Sequence, residues 1–175
     1  MKLDSLGKDS LLTIWVIPNK EEVSLILDCK QTIDKELMGP DFPIHMTLAV
    51  DFDLNEEVSK DFEKKISANL FPFEINFEGF GMKDYFFQAF FVKVDLDKNL
   101  KLIRSKACEL LKIKNSEFMP HLSLYYGKEK KEIKKSLLPK LPKIKGSLMV
   151  KELYLVSFDP NNIEWKILNR LNLGG

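Results

Sequence analysis

The sequence predicts a duplicated fold of helices and strands, two similar lobes facing each other across a groove. A seven-residue pattern occurs twice, as Phe42-Pro43-Ile44-His45-Met46-Thr47-Leu48 and as Phe118-Met119-Pro120-His121-Leu122-Ser123-Leu124. In both copies Phe stands three before the His, a hydroxyl residue two after it and Leu three after it. The order strand, helix, motif strand, helix, strand also runs twice, from Leu11 to Phe80 and from Tyr85 to Phe158.

Each element has a local reason. Leu11 to Ile17 is apolar but for Thr13 and stops at Pro18, the mark of a buried strand. Lys20 to Glu36 sets Val23, Ile26, Leu27, Cys29 and Ile33 on one helical face, and Gly39-Pro40 ends it. The first motif strand is Ile44 to Val50. A helix follows from Asn55 to Leu70, with Val58, Phe62, Ile66 and Leu70 on one face. Phe73 to Phe80 and Tyr85 to Asp95 are aromatic and β-branched, hence strands, joined as a hairpin through Gly81-Met82-Lys83-Asp84. Asp97 is the expected cap of a helix over Lys98 to Ile113, whose apolar face is Leu100, Ile103, Ala107, Leu110 and Leu111. The second motif strand, Pro120 to Tyr126, ends at Gly127. A short lysine-rich helix runs to Leu138, and Pro139 and Pro142 precede closing strands over Ser147 to Phe158 and Ile163 to Leu173. Asp159-Pro160-Asn161-Asn162 turns between those two.

The two motif histidines are the only ones in the chain. On a strand, residues two apart share a face, so His45 with Thr47, and His121 with Ser123, each present an imidazole beside a hydroxyl. Imidazole titrates near neutrality, so a facing pair supplies a general base and a general acid together. Displacement at phosphorus needs a deprotonated attacker on one side and a protonated leaving group on the other. The pattern therefore points to phosphoester chemistry, with the hydroxyls holding the anion.

Composition narrows the alternatives. Hydrophobic residues make up 45% of the 175 and charged residues 30%, the mixture of a soluble globular domain. No apolar run approaches a membrane span, and the first twenty residues lack a basic leader or a small-residue cleavage site, so a cytoplasmic protein is expected. Lysine and arginine total 27 against 26 acidic residues, and a net charge of +1 argues against long nucleic acid or anionic lipid as partner. The lysine run Lys128 to Lys135, with Lys140, Lys143 and Lys145 beyond it and Glu129 and Glu132 interspersed, reads as a solvated helix face. Cys29 and Cys108 match no metal or redox spacing and read as small core residues; no cofactor or essential metal is expected.

With these residues in view, the chain resembles the two-histidine phosphoesterases, and within them the plant-type cyclic phosphodiesterases. The likeness rests on the two motifs, Ile14-Trp15-Val16-Ile17-Pro18, Gly39-Pro40, Tyr85-Phe86-Phe87-Gln88, Tyr126 after the second motif, and Glu164-Trp165. It differs in detail: Pro43 lies two before its His whereas Pro120 lies directly before, and Gly127 follows the second motif. The resemblance implies an α+β fold of two lobes, each an antiparallel sheet flanked by helices, within one domain. It implies His45 and His121 as acid and base, Thr47 and Ser123 on the nonbridging phosphate oxygens, and Tyr126 on the phosphate or a bound water. It also implies metal-independent opening of small cyclic phosphates: ADP-ribose 1″,2″-cyclic phosphate to the 1″-phosphate, and nucleoside 2′,3′-cyclic phosphates to 2′-phosphates, substrates of tRNA splicing and RNA turnover. Trp15 and Phe87 are candidate walls for base or ribose, because aromatic faces stack on nucleobases. Trp165 reads as core, Gln88 is a weaker candidate contact, and strict strand alternation turns Tyr126 away from the site unless the strand bends or bulges. Two other readings keep the same groove: a phosphodiesterase of 2′-5′ oligonucleotides or RNA ends, and a noncatalytic module binding nucleotides or RNA ends.

Overall fold

In the computed structural model, which describes residues 11–52, 62–159 and 161–174, the first apolar run forms strand β1, Leu11–Val16, and all of it but Leu11 is buried. There follow helix α1 (Ser24–Glu36), strand β2 (Met46–Val50), helix α2 (Phe62–Asn69), and strands β3 (Phe73–Gly81) and β4 (Phe90–Val94). Helix α3 (Lys98–Leu111), strand β5 (His121–Tyr125), helix α4 (Lys131–Leu137), and strands β6 (Lys145–Val150), β7 (Glu152–Asp159) and β8 (Glu164–Asn172) complete the described chain. Two antiparallel four-stranded sheets result, in the orders β2-β1-β7-β8 and β5-β4-β3-β6. The class is the expected two-lobed α+β.

The lobes are not the sequence halves. Strand β3 leaves the first half to pair with β4 and β6, while β7 returns to pair with β1 and carries β8 on its far edge. The run Ser147 to Phe158, read as one strand, is two: it breaks at Lys151, and the pieces belong to different sheets. Continuous apolar sequence does not record which ladder each segment joins. The sheets meet at their motif strands, where the Ser123 N–H donates to the His45 carbonyl at 2.9 Å.

A second device locks the motif strands. In β2 against β1 the register jumps from Ile14↔Ala49 to Trp15↔Thr47, leaving Leu48 as the extra residue of a bulge. In β5 against β4 it jumps from Phe90↔Tyr125 to Phe91↔Ser123, leaving Leu124 in the same role. Both bulged carbonyls accept from a buried cation on a helix of the opposite lobe: Arg104 of α3 donates to Leu48 O, and Lys30 of α1 to Leu124 O at 3.3 Å. Each cation also lies over the Phe that precedes a motif His by three, Lys30 at 4.5 Å from Phe42 and Arg104 at 5.2 Å from Phe118. The seven-residue pattern thus includes its own clamp. Lys30 is further paired with Asp34 at 3.0 Å, which neutralises much of its charge.

Local chemistry sets the helix ends. The Asp97 carboxylate accepts from Leu100 N at 2.7 Å, the cap expected for α3, and Lys112 closes that helix in the left-handed region at φ 56°. Helix α1 begins at Ser24, after a turn over residues 20–23, and Leu37 ends it in extended backbone. The link then passes so close to β5 that a Cβ on Gly39 would sit 2.7 Å from the Tyr126 carbonyl oxygen, which accounts for glycine there. Of the helix expected from Asn55, Phe62–Asn69 is helical and residues 53–61 lie outside the described residues.

The aromatic run Tyr85 to Asp95 is not one strand. Only Phe90–Val94 is extended, and Phe86–Gln88 form a single 3₁₀ turn closed by Gln88 N–H to Tyr85 O at 3.0 Å. The turn folds Phe86 and Phe87 back onto the Tyr126 ring, with centroids at 6.1 and 5.4 Å, burial that a straight strand would forgo. The lysine run is not wholly solvated either. Lys134 is fully buried, with its ammonium donating to Lys83 O and to Asp84 Oδ1 at 3.4 Å. No helix among the described residues is long and apolar enough to cross a membrane.

The clamp makes a stability prediction. Arg104→Ala leaves Leu48 O without its charged donor and is expected to cost about 2–3 kcal/mol. Lys106→Ala, which removes only the surface pair with Glu109, is expected to stay within about 0.5 kcal/mol. Urea midpoints at unchanged slope test both.

Candidate active site

The two imidazoles are held identically by the backbone. In each, Nδ1 donates to the carbonyl two residues earlier, His45 to Pro43 O and His121 to Met119 O, both at 2.8 Å. A carbonyl only accepts, so Nδ1 carries the proton and Nε2 of the neutral ring is left as the acceptor. Each ring is also covered by the aromatic at the bulge of the neighbouring strand. Trp15 stacks on His45 with centroids 3.6 Å apart and planes 13° from parallel, and Phe91 lies tilted against His121 at 4.8 Å.

Beyond that the sites diverge. His45 has no exposed surface, and its Nε2 accepts from the Tyr126 hydroxyl at 2.9 Å. Tyr126 Oη also lies 3.1 Å from Ser123 Oγ. With the phenol O–H directed at His45 Nε2, Ser123 is the donor to the phenol oxygen. Tyr126 lies just past the end of β5, and the bulge at Leu124, between it and Ser123, offsets the odd spacing so that the two hydroxyls share one side. His121 is only partly buried and lines a cavity of about 330 Å³ together with Thr47 and Tyr126. The rest of that wall is largely aromatic: Trp15, Tyr85, Phe87, Phe158 and Trp165.

Of the residues singled out in the sequence, the structure brings Thr47, His121, Tyr126, Trp15, Phe87 and Gln88 to one cavity. His45 and Ser123 lie behind it, joined to it through the Tyr126 hydroxyl. Trp165, read as core, is half-buried in the cavity wall, stacked on Phe158 at 5.2 Å. Thr13, in sequence a mere interruption of an apolar run, is a cavity residue that sequence reasoning misses. It shares the face of Trp15, its hydroxyl is buried without a hydrogen-bond partner among the described residues, and it lines the cavity. A lone hydroxyl residue two positions from a cavity aromatic on the same strand is the signal available.

Burial sets the electrostatics. It pushes His45 down to about 3; the Pro43 carbonyl works against the shift, and the charges of His121 and Lys30 add to it. His121 is lowered too, by burial first and by Lys83, against the support of the Met119 carbonyl. Tyr126 is raised by burial, so its hydroxyl keeps its proton. Before a ligand arrives both rings favour the neutral form, and only an anion in the cavity would favour protonation. Among the described residues no three His, Cys, Asp or Glu side chains are grouped to hold a metal ion.

Two abutting antiparallel sheets, with paired His-x-Thr/Ser strands at the junction and an aromatic-walled cavity beside them, define the architecture of a two-histidine phosphoesterase. The chain belongs to the 2′-5′ RNA ligase superfamily, whose family model matches residues 27–162. It is 22% identical over 142 residues to a cyclic phosphodiesterase of Arabidopsis thaliana, covering 81% of this chain and 78% of that protein. Solved structures share the fold. One is a protein of Thermus thermophilus, at 21% identity and TM-score 0.63, covering 94% of this chain and 98% of that one. Another is E. coli LigT complexed with 3′-AMP, at 17% identity and TM-score 0.64, covering 96% and 100%.

The lowered histidines predict acid sensitivity. Between the ordinary value of 6.5 and about 3, the unfolded chain binds a proton at residue 45 that the native state refuses. Stability should therefore fall as pH drops through that window, by up to about 1.4 kcal/mol per pH unit for this residue. Urea midpoints from pH 7 to 4 should fall less steeply in His45→Asn than in the wild type.

Proposed function

We propose that this protein is a metal-independent phosphodiesterase, a single domain that opens cyclic phosphodiesters on ribose: nucleoside 2′,3′-cyclic phosphates to 2′-phosphates, ADP-ribose 1″,2″-cyclic phosphate to the 1″-phosphate, or both. The observation that carries the reading is the convergence of His121, Thr47 and the His45-linked Tyr126 hydroxyl on one aromatic-walled cavity. A volume of about 330 Å³ is within the range of small-ligand sites. The similarity to a cyclic phosphodiesterase supports the reaction class.

The chemistry divides the histidines by exposure. His45 is the proton acceptor, since burial keeps it neutral. A water in the cavity passes its proton to the Tyr126 oxygen as the phenol proton moves to His45 Nε2, and the resulting hydroxide attacks phosphorus. His121, open to the cavity, protonates the departing ribose oxygen. The bound phosphate anion raises its proton affinity against the lowering by burial and Lys83. The Thr47 hydroxyl donates to a nonbridging oxygen, Thr13 is placed to donate to a second polar group of the ligand, and the aromatic wall takes the base.

The test is hydrolysis of the four nucleoside 2′,3′-cyclic phosphates and of ADP-ribose 1″,2″-cyclic phosphate in EDTA. Turnover of at least one is expected, with His121→Ala and His45→Ala each losing roughly 10²–10⁴-fold in kcat. Tyr126→Phe, which keeps the ring but breaks the link to His45, should lose about 10²-fold in kcat with little change in KM. The alkaline limb of kcat/KM should fall below the ordinary histidine value of 6.5, because His121 in the free protein gives up its proton early. Binding of these cyclic phosphates by the folded protein without turnover would overturn the enzymatic reading in favour of a binding module.

A further inference from the structure

A second and larger cavity, about 540 Å³, lies beside the residues that cover and hold His121. Lys83, Lys93, Lys131 and Lys135 stand in its wall, which contains no acidic residue. Its floor includes Phe91, the ring that covers His121, and Met119, whose carbonyl holds His121 Nδ1. Phe91 and Met119 therefore stand between this cavity and the imidazole that lines the first one. On β4, Phe91 and Lys93 share a face, and Lys93 pairs with His121 across the ladder, so the lysine-walled space continues the sheet face on which the histidine stands.

The four lysines are exposed, and none makes an ion pair among the described residues. Lys131 and Lys135 are one helical turn apart on α4, a like-charge spacing that weakens an isolated helix. Their convergence with Lys83 comes from elsewhere in sequence and is fixed by structure. The buried Lys134 of the same helix donates to the Lys83 carbonyl and pairs with Asp84, tying the loop that bears Lys83 to α4. A net charge of +1 for the chain makes four unpaired positive groups around one volume a local feature with no counterpart in the overall balance. The chemistry that would relieve their repulsion is a phosphoryl or diphosphoryl group.

We propose that this lysine-walled cavity is a second phosphate subsite, so that the preferred substrate is a cyclic phosphodiester bearing at least one further phosphoryl group beyond the scissile one. The inference rests on the phosphodiesterase reading and specifies its substrate. With the scissile phosphate at His121 and Thr47 and the base or sugar on the aromatic wall, the next phosphate of the ligand falls among the lysines. Two substrate types share that chemistry: a ribose cyclic phosphate carrying a diphosphate, and a short RNA end whose preceding internucleotide phosphate lies there. The small number of lysines suits one or two phosphates and not a long polymer.

The experiment compares three substrates: cytidine 2′,3′-cyclic phosphate, a dinucleotide ending in a 2′,3′-cyclic phosphate, and ADP-ribose 1″,2″-cyclic phosphate. Each is assayed with the wild type and with Lys131→Ala/Lys135→Ala. Lys128→Ala/Lys130→Ala, from the same lysine run but outside this cavity wall, is the control. The inference expects the first double variant to raise KM about 10-fold for at least one extended substrate with kcat within about twofold, and to flatten its salt dependence. The mononucleotide KM should move less than about twofold, and the control should change nothing. The extended substrate that suffers identifies the source of the second phosphate. An equal change on all three substrates, or none on either extended one, overturns the inference while leaving the phosphodiesterase reading intact. Calorimetric titration of the corresponding linear 3′-phosphorylated dinucleotide and of inorganic diphosphate separates the two claims. Lysine-dependent binding without turnover of any substrate overturns the phosphodiesterase reading and leaves a phosphate subsite. Neither turnover nor lysine-dependent binding overturns both.

Discussion

Each motif strand holds one residue too many for the strand beside it, and the fold is arranged around that excess. Leu48 in β2 and Leu124 in β5 drop out of their ladders, and each turns its carbonyl to a buried cation on the other lobe's helix. A bulge sharpens strand twist and re-aims the side chains around it. Here it follows the hydroxyl residue of each motif, so the imidazole and hydroxyl positions precede a fixed kink. Because α1 answers β5 and α3 answers β2, neither motif strand is finished by its own lobe. The sheets are thus pinned at two crossed points in addition to the direct Ser123–His45 bond. A change that loosens one helix should therefore be felt at the histidine of the opposite half.

This cross-bracing explains what the sequence disclosed. The motif repeat was legible because its parts are local: Phe, His, hydroxyl and Leu at constant offsets on one short segment. Helix α3 was legible from its apolar spacing and from Asp97. Lobe membership was not, since it depends on which strand edge β3 and β7 meet, and pairing between distant segments leaves no local trace. Tyr85 to Gln88 have strong strand propensity, yet the burial offered by the Tyr126 ring outweighed it. Lys134 has the composition of a surface helix and the position of a core residue, with a backbone carbonyl and an aspartate to satisfy it. The repeat and its strand spacing picked out the histidines and hydroxyls, but nothing local to it says that one of each lies behind a tyrosine.

The duplication therefore yields two equal motifs and two unequal sites. Both rings have the same tautomer, set by the same −2 carbonyl, and both are covered by an aromatic from the adjoining strand. Trp15 lies nearly parallel to His45 and with Tyr126 closes it from solvent, whereas the smaller Phe91 leaves part of His121 open. The motif positions are also shared out crosswise: the cavity receives Thr47 from one copy and His121 from the other. Symmetry supplies matched groups, and departures from it distribute their roles.

Such an arrangement bears on how a pair of histidines avoids becoming two bases or two acids. Equivalent rings facing one phosphate would compete for the same proton, and each would lower the affinity of the other. Removing His45 from solvent breaks the tie, because a charged ring there forfeits its hydration and gains only the Pro43 carbonyl in return. His121 keeps contact with the cavity, where an anion can offset both its partial burial and the pull of Lys83. The Tyr126 hydroxyl carries hydrogen bonding from the cavity to an imidazole kept neutral by burial, and burial raises its own pKa, so the phenol keeps its proton.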